Sequence, residues 1–267
     1  VTNNVLSDAT GAVVSLAGAR QELVDNDVFG GGAVGVVLRA PERIRVTGNR
    51  IFRNGSAAPG RTGWLEGGVR AYAGSLDLVG NEIFENVGAG FSCSFCEGVV
   101  SQANLMRDNG GAGLRLYVAQ RGEIGHNQIW RNGWGAAPRE PALMLVDAHA
   151  LAVRGNIVAE NPGGFLLRRR MARDFRPEFT PCVAPSGNEV RDNVVIASGV
   201  DASLRVLDVA AGNDARCPDN RISDNRLWDA ALADARTLPG LSVRGFAPLS
   251  ERERDELLTV ATLGWQH

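Results

Sequence analysis

The sequence predicts an all-β solenoid, stacked from short units rather than folded round one closed core. Three observations carry that prediction. An asparagine returns at Asn4, Asn26, Asn49, Asn81, Asn104, Asn127, Asn156, Asn193 and Asn225, each followed within two residues by an apolar residue. Where nothing interrupts the series its interval is 22 or 23 residues, the period of a repeat architecture. Within a unit, apolar and polar residues alternate over short runs, as in Leu78–Asn86, Val100–Asn109 and Ile124–Asn132, which is strand periodicity and not helix periodicity.

Aligned on these asparagines, the units share the phrase Asn-x-Ile-x-x-Asn, then a turn, then Gly-Ile-x-Leu. Each unit therefore holds about three short strands separated by Asn and Gly corners. This phrase resembles the right-handed parallel β-helix repeat of the pectate-lyase-like superfamily, over residues 1 to about 228. The resemblance implies a single-stranded right-handed parallel β-helix of about nine coils, which at about 4.8 Å per coil is a rod about 43 Å long. It does not fix an activity, because that superfamily houses lyases, hydrolases, epimerases and proteins without known chemistry.

The recurring asparagine has a physical reason. A side-chain amide carries both donors and acceptors, so equivalent asparagines in successive coils bond to one another and to turn backbone that would otherwise be unsatisfied. A second series, Asn54, Asn86, Asn109, Asn132 and Asn161, marks the corner after the third strand. Both series are read as scaffold. Earlier coils or a capping helix are expected ahead of Val1, since a solenoid needs a polar cap at each end. At the other end Ser250-Glu-Arg-Glu253 has capping-box spacing and is followed by Leu257, Leu258 and Val260. A short helix covering the last coil is expected there, which divides the chain into a β-helix over 1–230 and a C-terminal extension with a capping helix over 231–267.

Composition narrows the chemistry. All 28 basic residues are arginine, so lysine Schiff-base and general-base chemistry is excluded and any cation in a site is a guanidinium suited to carboxylate or sulfate. A net charge of −2 gives no case for nucleic acid, and no segment has the apolar length of a membrane span. Cys182 and Cys217 lie in excursions of successive coils, and stacking would bring them together as a disulfide. Cys93 and Cys96 form Cys-Ser-Phe-Cys, read either as core or as a tight disulfide, without the further ligands of a zinc site. No metal or cofactor is implied, and the cysteines favour an extracellular or periplasmic location.

The resemblance places substrates along the first strand of each coil, here the Gly-Ile-x-Leu segment. Alternation turns Val36/Leu38, Val69/Ala71, Phe91/Cys93, Leu114/Leu116, Leu143/Leu145, Phe165/Leu167 and Leu204/Val206 inward. Outward, one column reads Val37, Arg70, Ser92, Arg115, Met144, Leu166 and Arg205; the next reads Arg39, Tyr72, Ser94, Tyr117, Val146, Arg168 and Leu207. Both tyrosines of the chain sit beside an arginine in these columns, two coils or about 9.6 Å apart, comparable to two sugar units. Insertions at 55–66 and 133–141 enter just before the first strand and bring Trp64, Glu66, Trp134, Arg139 and Glu140 to the rim. Aromatic rings beside arginines suit a sugar chain.

Proton abstraction next to a uronate carboxylate needs a cation for the carboxylate and a base for the proton. Arg115, Tyr117 and His149 are the catalytic candidates; Arg70, Tyr72, Arg39, Ser92, Trp64, Trp134 and Arg168 are the substrate-binding ones. The expected partner is a polysaccharide. Calcium-lyase acidic clusters, polygalacturonase Gly-His-Gly and the epimerase Asp-Pro-His-Asp are all absent from the sequence. Two readings therefore stand: a lyase or epimerase on an acidic glycan, or a noncatalytic β-helix module of a larger secreted protein. The excursion at 168–187 is read as a solvated loop.

Overall fold

The computed structural model describes residues 1–56, 66–135, 139–168, 185–197, 206–208, 219–229 and 246–263. Trp64, the Cys182–Cys217 pairing, Arg205 and the excursion over 169–184 lie outside the described residues. The strands form two parallel sheets in which each strand pairs with its counterpart one coil on. One sheet has ten strands. Nine of them start at or directly after a ladder asparagine, from Val5–Ser7 to Asn225–Asp229, and Phe246–Pro248 adds the tenth.

The other sheet carries the first and second strands of the coils. In later coils the two are separate, as in Leu114–Tyr117 and Gln120–Gly125. In two earlier coils they merge into the long strands Val34–Thr47 and Gly67–Val79. The corner is still turned there, by a register shift between Glu42 and Ile44 that leaves Arg43 in the left-handed conformation.

Register stacks like on like. The middle residues of the third strands, Val28, Ile51, Ile83, Met106, Ile129, Val158 and Val195, are at most 1% exposed and run as one column. The inward pairs from Val36/Leu38 to Phe165/Leu167 face them and complete a continuous core. Each such side chain contributes about 2 kcal/mol by burial alone.

Two ladders of asparagine flank this core. Asn104 is typical: its Nδ2 donates to Leu78 O at 2.8 Å and to Asn127 Oδ1 at 2.9 Å, while its Oδ1 accepts from Asn81 N at 2.9 Å and Asn81 Nδ2 at 3.0 Å. The second ladder runs Asn54, Asn86, Asn109, Asn132, Asn161 in the same manner. A left-handed residue precedes every asparagine of both ladders, His126 among them, and this conformation makes the corner. A third, shorter ladder, Asn188 to Asn220 at 2.8 Å, is not among the sequence expectations.

Cys93 and Cys96 are joined by a disulfide and both are buried. The C-terminal helix spans Glu251–Leu263, and Ser250 and Glu253 form the capping box: Glu253 Oε2 accepts from Ser250 N at 2.9 Å, and Ser250 Oγ accepts from Glu253 N at 3.3 Å. Its position differs from a simple end cap. Leu257 and Leu258 join an apolar cluster of Trp130, Ala159, Ile196, Trp228 and Leu249 on the outside of the third-strand sheet. These outward positions carry apolar side chains that need cover, while Phe246–Pro248 pairs with the edge of Asn225–Asp229.

Candidate functional site

Strand pairing places the outward columns of the first-strand face. Val37, Arg70, Ser92, Arg115, Met144 and Leu166 are consecutive Cα partners, as are Arg39, Tyr72, Ser94, Tyr117, Val146 and Arg168. The second column ends differently from the expectation. A register shift after Leu167 sets Asp208, not Leu207, opposite Arg168. Strand alternation is lost wherever a bulge inserts a residue.

The two arginines of the first column face different surroundings. Arg115 is only 2% exposed, and its Nη2 pairs with Glu140 Oε2, which also accepts from Ala112 N at 2.8 Å. Arg70 is half-buried, and no carboxylate among the described residues pairs with it. Its guanidinium lies over the Tyr72 ring, 4.4 Å from the centroid. Burial, and then the nearby Arg115 charge, push its pKa below the ordinary value. Ser92 stands between the two guanidinium-bearing strands.

Acidic residues frame the same stretch. Glu66 and Glu140 each stand three residues before an inward residue, Val69 and Leu143, and so hold equivalent places in their coils. The two coils between them have Gly88 and Gly111 there, and a side chain at Gly111 would press on the Glu140 carboxylate. Glu66 is 5% exposed, and its Oε1 has no hydrogen-bond partner among the described residues. Both glutamates were legible as rim residues. Aligning the insertions on the inward pairs is the signal that would have made them equivalent.

The remaining candidates are spread around the coil. His149 opens the second strand, past the corner made by Asp147 at φ 48°. Its ring is buried, Nδ1 lies 2.9 Å from Ser186 Oγ, and burial lowers its pKa to about 4, so the ring is neutral near pH 7. It is thus turned into its own column, between Gln120 and Ser186, rather than brought onto the Arg70–Tyr117 face. Trp134 is on the preceding corner: its Nε1 donates to Glu160 O at 3.0 Å, and the Arg139 guanidinium lies 4.9 Å from its ring centroid. Arg39 is exposed in register with Tyr72, and Arg168 is placed by its backbone alone.

Comparison with known proteins gives a consistent result at the level of fold. The family model described as the right handed beta helix region matches residues 1–158. Among solved structures, the A-module of the mannuronan C-5 epimerase AlgE4 of Azotobacter vinelandii is similar over 93% of this chain and 57% of its own, at a TM-score of 0.51 and 13% identity. The periplasmic alginate epimerase AlgG is similar over 84% of this chain and 49% of its own, at 0.54 and 11%. This chain spans about half the length of each. No curated protein matches the sequence.

Proposed function

We propose that this chain, which belongs to the right-handed beta-helix family, is a lyase or epimerase acting on an acidic, uronate-containing glycan along its Arg70–Tyr117 face. One observation carries the reading: a half-buried Arg70, with no carboxylate partner among the described residues, and a buried Arg115 lie two coils apart on one outward column, with only Ser92 between them. Arg70 is the cation open to a substrate carboxylate, because Arg115 is already met by Glu140. Arg115 keeps a second positive charge beneath the same floor. Tyr72 and Tyr117 edge it in the adjacent column and offer flat faces to sugar rings.

The chemistry follows from charge placement. A base removes the proton on the carbon next to the carboxylate, and the electron pair moves into the carboxylate, where a guanidinium stabilises the dianion. In a lyase the pair returns to expel the glycosidic oxygen on the neighbouring carbon, which takes up the proton now held by the base, and leaves a carbon–carbon double bond. In an epimerase a proton is returned to the opposite face. The Tyr117 phenolic oxygen, in its deprotonated form, is the base of this reading; the His149 ring, held against Ser186 off this face, takes no part in it. A likeness to alginate epimerases and the Cys93–Cys96 disulfide support a uronate substrate and an extracellular or periplasmic location.

A second reading, a noncatalytic glycan-binding module, is favoured by the ring of His149, which contacts Ser186 away from the Arg70 face. Incubation with alginate, pectate and glycosaminoglycans separates the two. The enzymatic reading expects unsaturated product in ultraviolet absorbance or changed uronate stereochemistry in proton NMR, lost in Tyr117→Phe. Absence of both products with all three polymers, alongside retained glycan binding, selects the module.

A further inference from the structure

We propose, on the uronate reading of the Arg70–Tyr117 face, that this face takes the end of a uronate chain and not its middle: the chain enters over Arg39, and its terminal sugar is stopped in front of Val146. Strand pairing sets Arg39, Tyr72, Ser94, Tyr117 and Val146 in one row, one residue per coil. Arg39 is exposed, and Tyr72, Ser94 and Tyr117 are half-buried. Val146 is 3% exposed, although alternation with Leu145 turns it away from the core. The neighbouring row ends in the same coil, where Met144 follows Arg115 and is 9% exposed. Val37, at the other end of that row, is equally covered.

An apolar side chain that points outward and is still out of water lies under another part of the molecule. The face is therefore roofed in the coil of Met144 and Val146, and open at the coil of Arg39. The segment that leads into the roofed coil is held in place. Glu140 reaches back to the preceding coil, where its Oε2 pairs with Arg115 Nη2 and accepts from Ala112 N at 2.8 Å. Its own N donates to Gly133 O at 3.3 Å, and a Cβ at Gly133, which has φ +85°, would collide with the Glu140 backbone. The inner end of the face is thus formed before any ligand arrives, which lowers the entropy cost of binding there.

Distance and charge fit a short terminal piece. From Arg39 to Tyr117 the row covers three strand spacings, about 14 Å, room for about three sugar units. The arginines are spread along the stack, with Arg39, Arg70 and Arg115 each in a different coil, and not along one strand. A chain with a carboxylate on every sugar therefore follows the row instead of crossing it. Followed inward, the face offers the exposed Arg39, then the half-buried Arg70 beside Tyr72, and last Tyr117 with the Arg115 charge at its side. A sugar beyond Tyr117 would have to take the space that already covers Val146, whereas a chain end needs nothing there.

The test is calorimetric titration of the whole chain with di-, tetra- and hexauronates prepared from alginate and from pectate, and with fractions of about forty residues of the same polymers. An end site takes one protein per chain at every length, and Kd per chain levels off by the tetrasaccharide. Arg39→Ala is expected to weaken tetrasaccharide binding about fivefold and to leave the disaccharide unchanged. Several proteins on each long chain would overturn the chain-end assignment and leave the uronate reading standing. Tetrasaccharide affinity equal in wild type and Arg39→Ala would overturn it as well, because nothing would then mark the entry. Absence of binding at every length overturns the uronate reading and this proposal together.

Discussion

Arg70 and Arg115 hold equivalent positions two coils apart, yet Arg115 is buried against Glu140 whereas Arg70 is only half-buried. Arg70→Ala is expected to weaken uronate oligosaccharide binding at least about tenfold, since a charge-assisted pair to a carboxylate contributes about 1.5–3 kcal/mol. Arg70→Lys restores part of it, because an ammonium supplies charge without the planar fork over Tyr72. Titration calorimetry reads both. Glu140→Ala acts on stability instead. It takes the Glu140 carboxylate away from a guanidinium that is 2% exposed, so chemical unfolding is expected to show a loss of about 3 kcal/mol. His149 adds a pH signature. Its pKa is lowered to about 4 from 6.5, so the unfolded chain takes a proton first as pH falls. Stability declines through that window and levels off below it; His149→Gln flattens the decline in denaturant midpoints. That Arg70, Tyr72, Arg115 and Tyr117 share a face was legible from alternation and repeat spacing. The Glu140–Arg115 pair was not, because it depends on how the insertion folds back.

At the scale of the element, the ladders tie strands to corners. Removal of a central amide leaves Asn81 N and Leu78 O without their side-chain partners in the interior. Asn104→Ala is therefore expected to cost about 3 kcal/mol or more in chemical unfolding, whereas the exposed Asn4→Ala costs far less. The repeat period makes the two long ladders visible in the sequence itself. It hid Asn188 and Asn220, because the excursions of those coils break the interval, although both precede a ladder asparagine by the same five residues as Asn49 precedes Asn54. The helix start was legible from Ser250 and Glu253. Its docking was not, since the helix answers to outward apolar residues scattered over several coils. The Arg226 hydrogen bond and then the Ser250 bonds lower the Glu253 carboxyl from 4.5 to about 2. Their support is full above the ordinary value and is lost as pH falls toward the lowered one. Trp228 fluorescence, under the Arg254 guanidinium, is expected to change across that acid window and earlier in Arg226→Ala.

At the scale of the molecule, stacking turns sequence position into distance. Each coil repeats the corner of the last, so residues at the same repeat position form a column with strand spacing, and chemistry is assembled by register rather than by a closed pocket. The inward columns are apolar except at Ser101, which bonds to the asparagine ladder at Asn104 and Asn127; composition and alternation therefore sufficed for the core. The outward columns vary from coil to coil, and there insertions decide what a column meets. The uronate reading rests on one such column. Calorimetric titration of a uronate hexasaccharide into wild type and Arg70→Ala, at low and at raised salt, tests it most directly. The account predicts saturable binding to wild type that weakens with salt and falls at least about tenfold in the variant. Equal affinity for both proteins, or no binding to wild type at low salt, would contradict it.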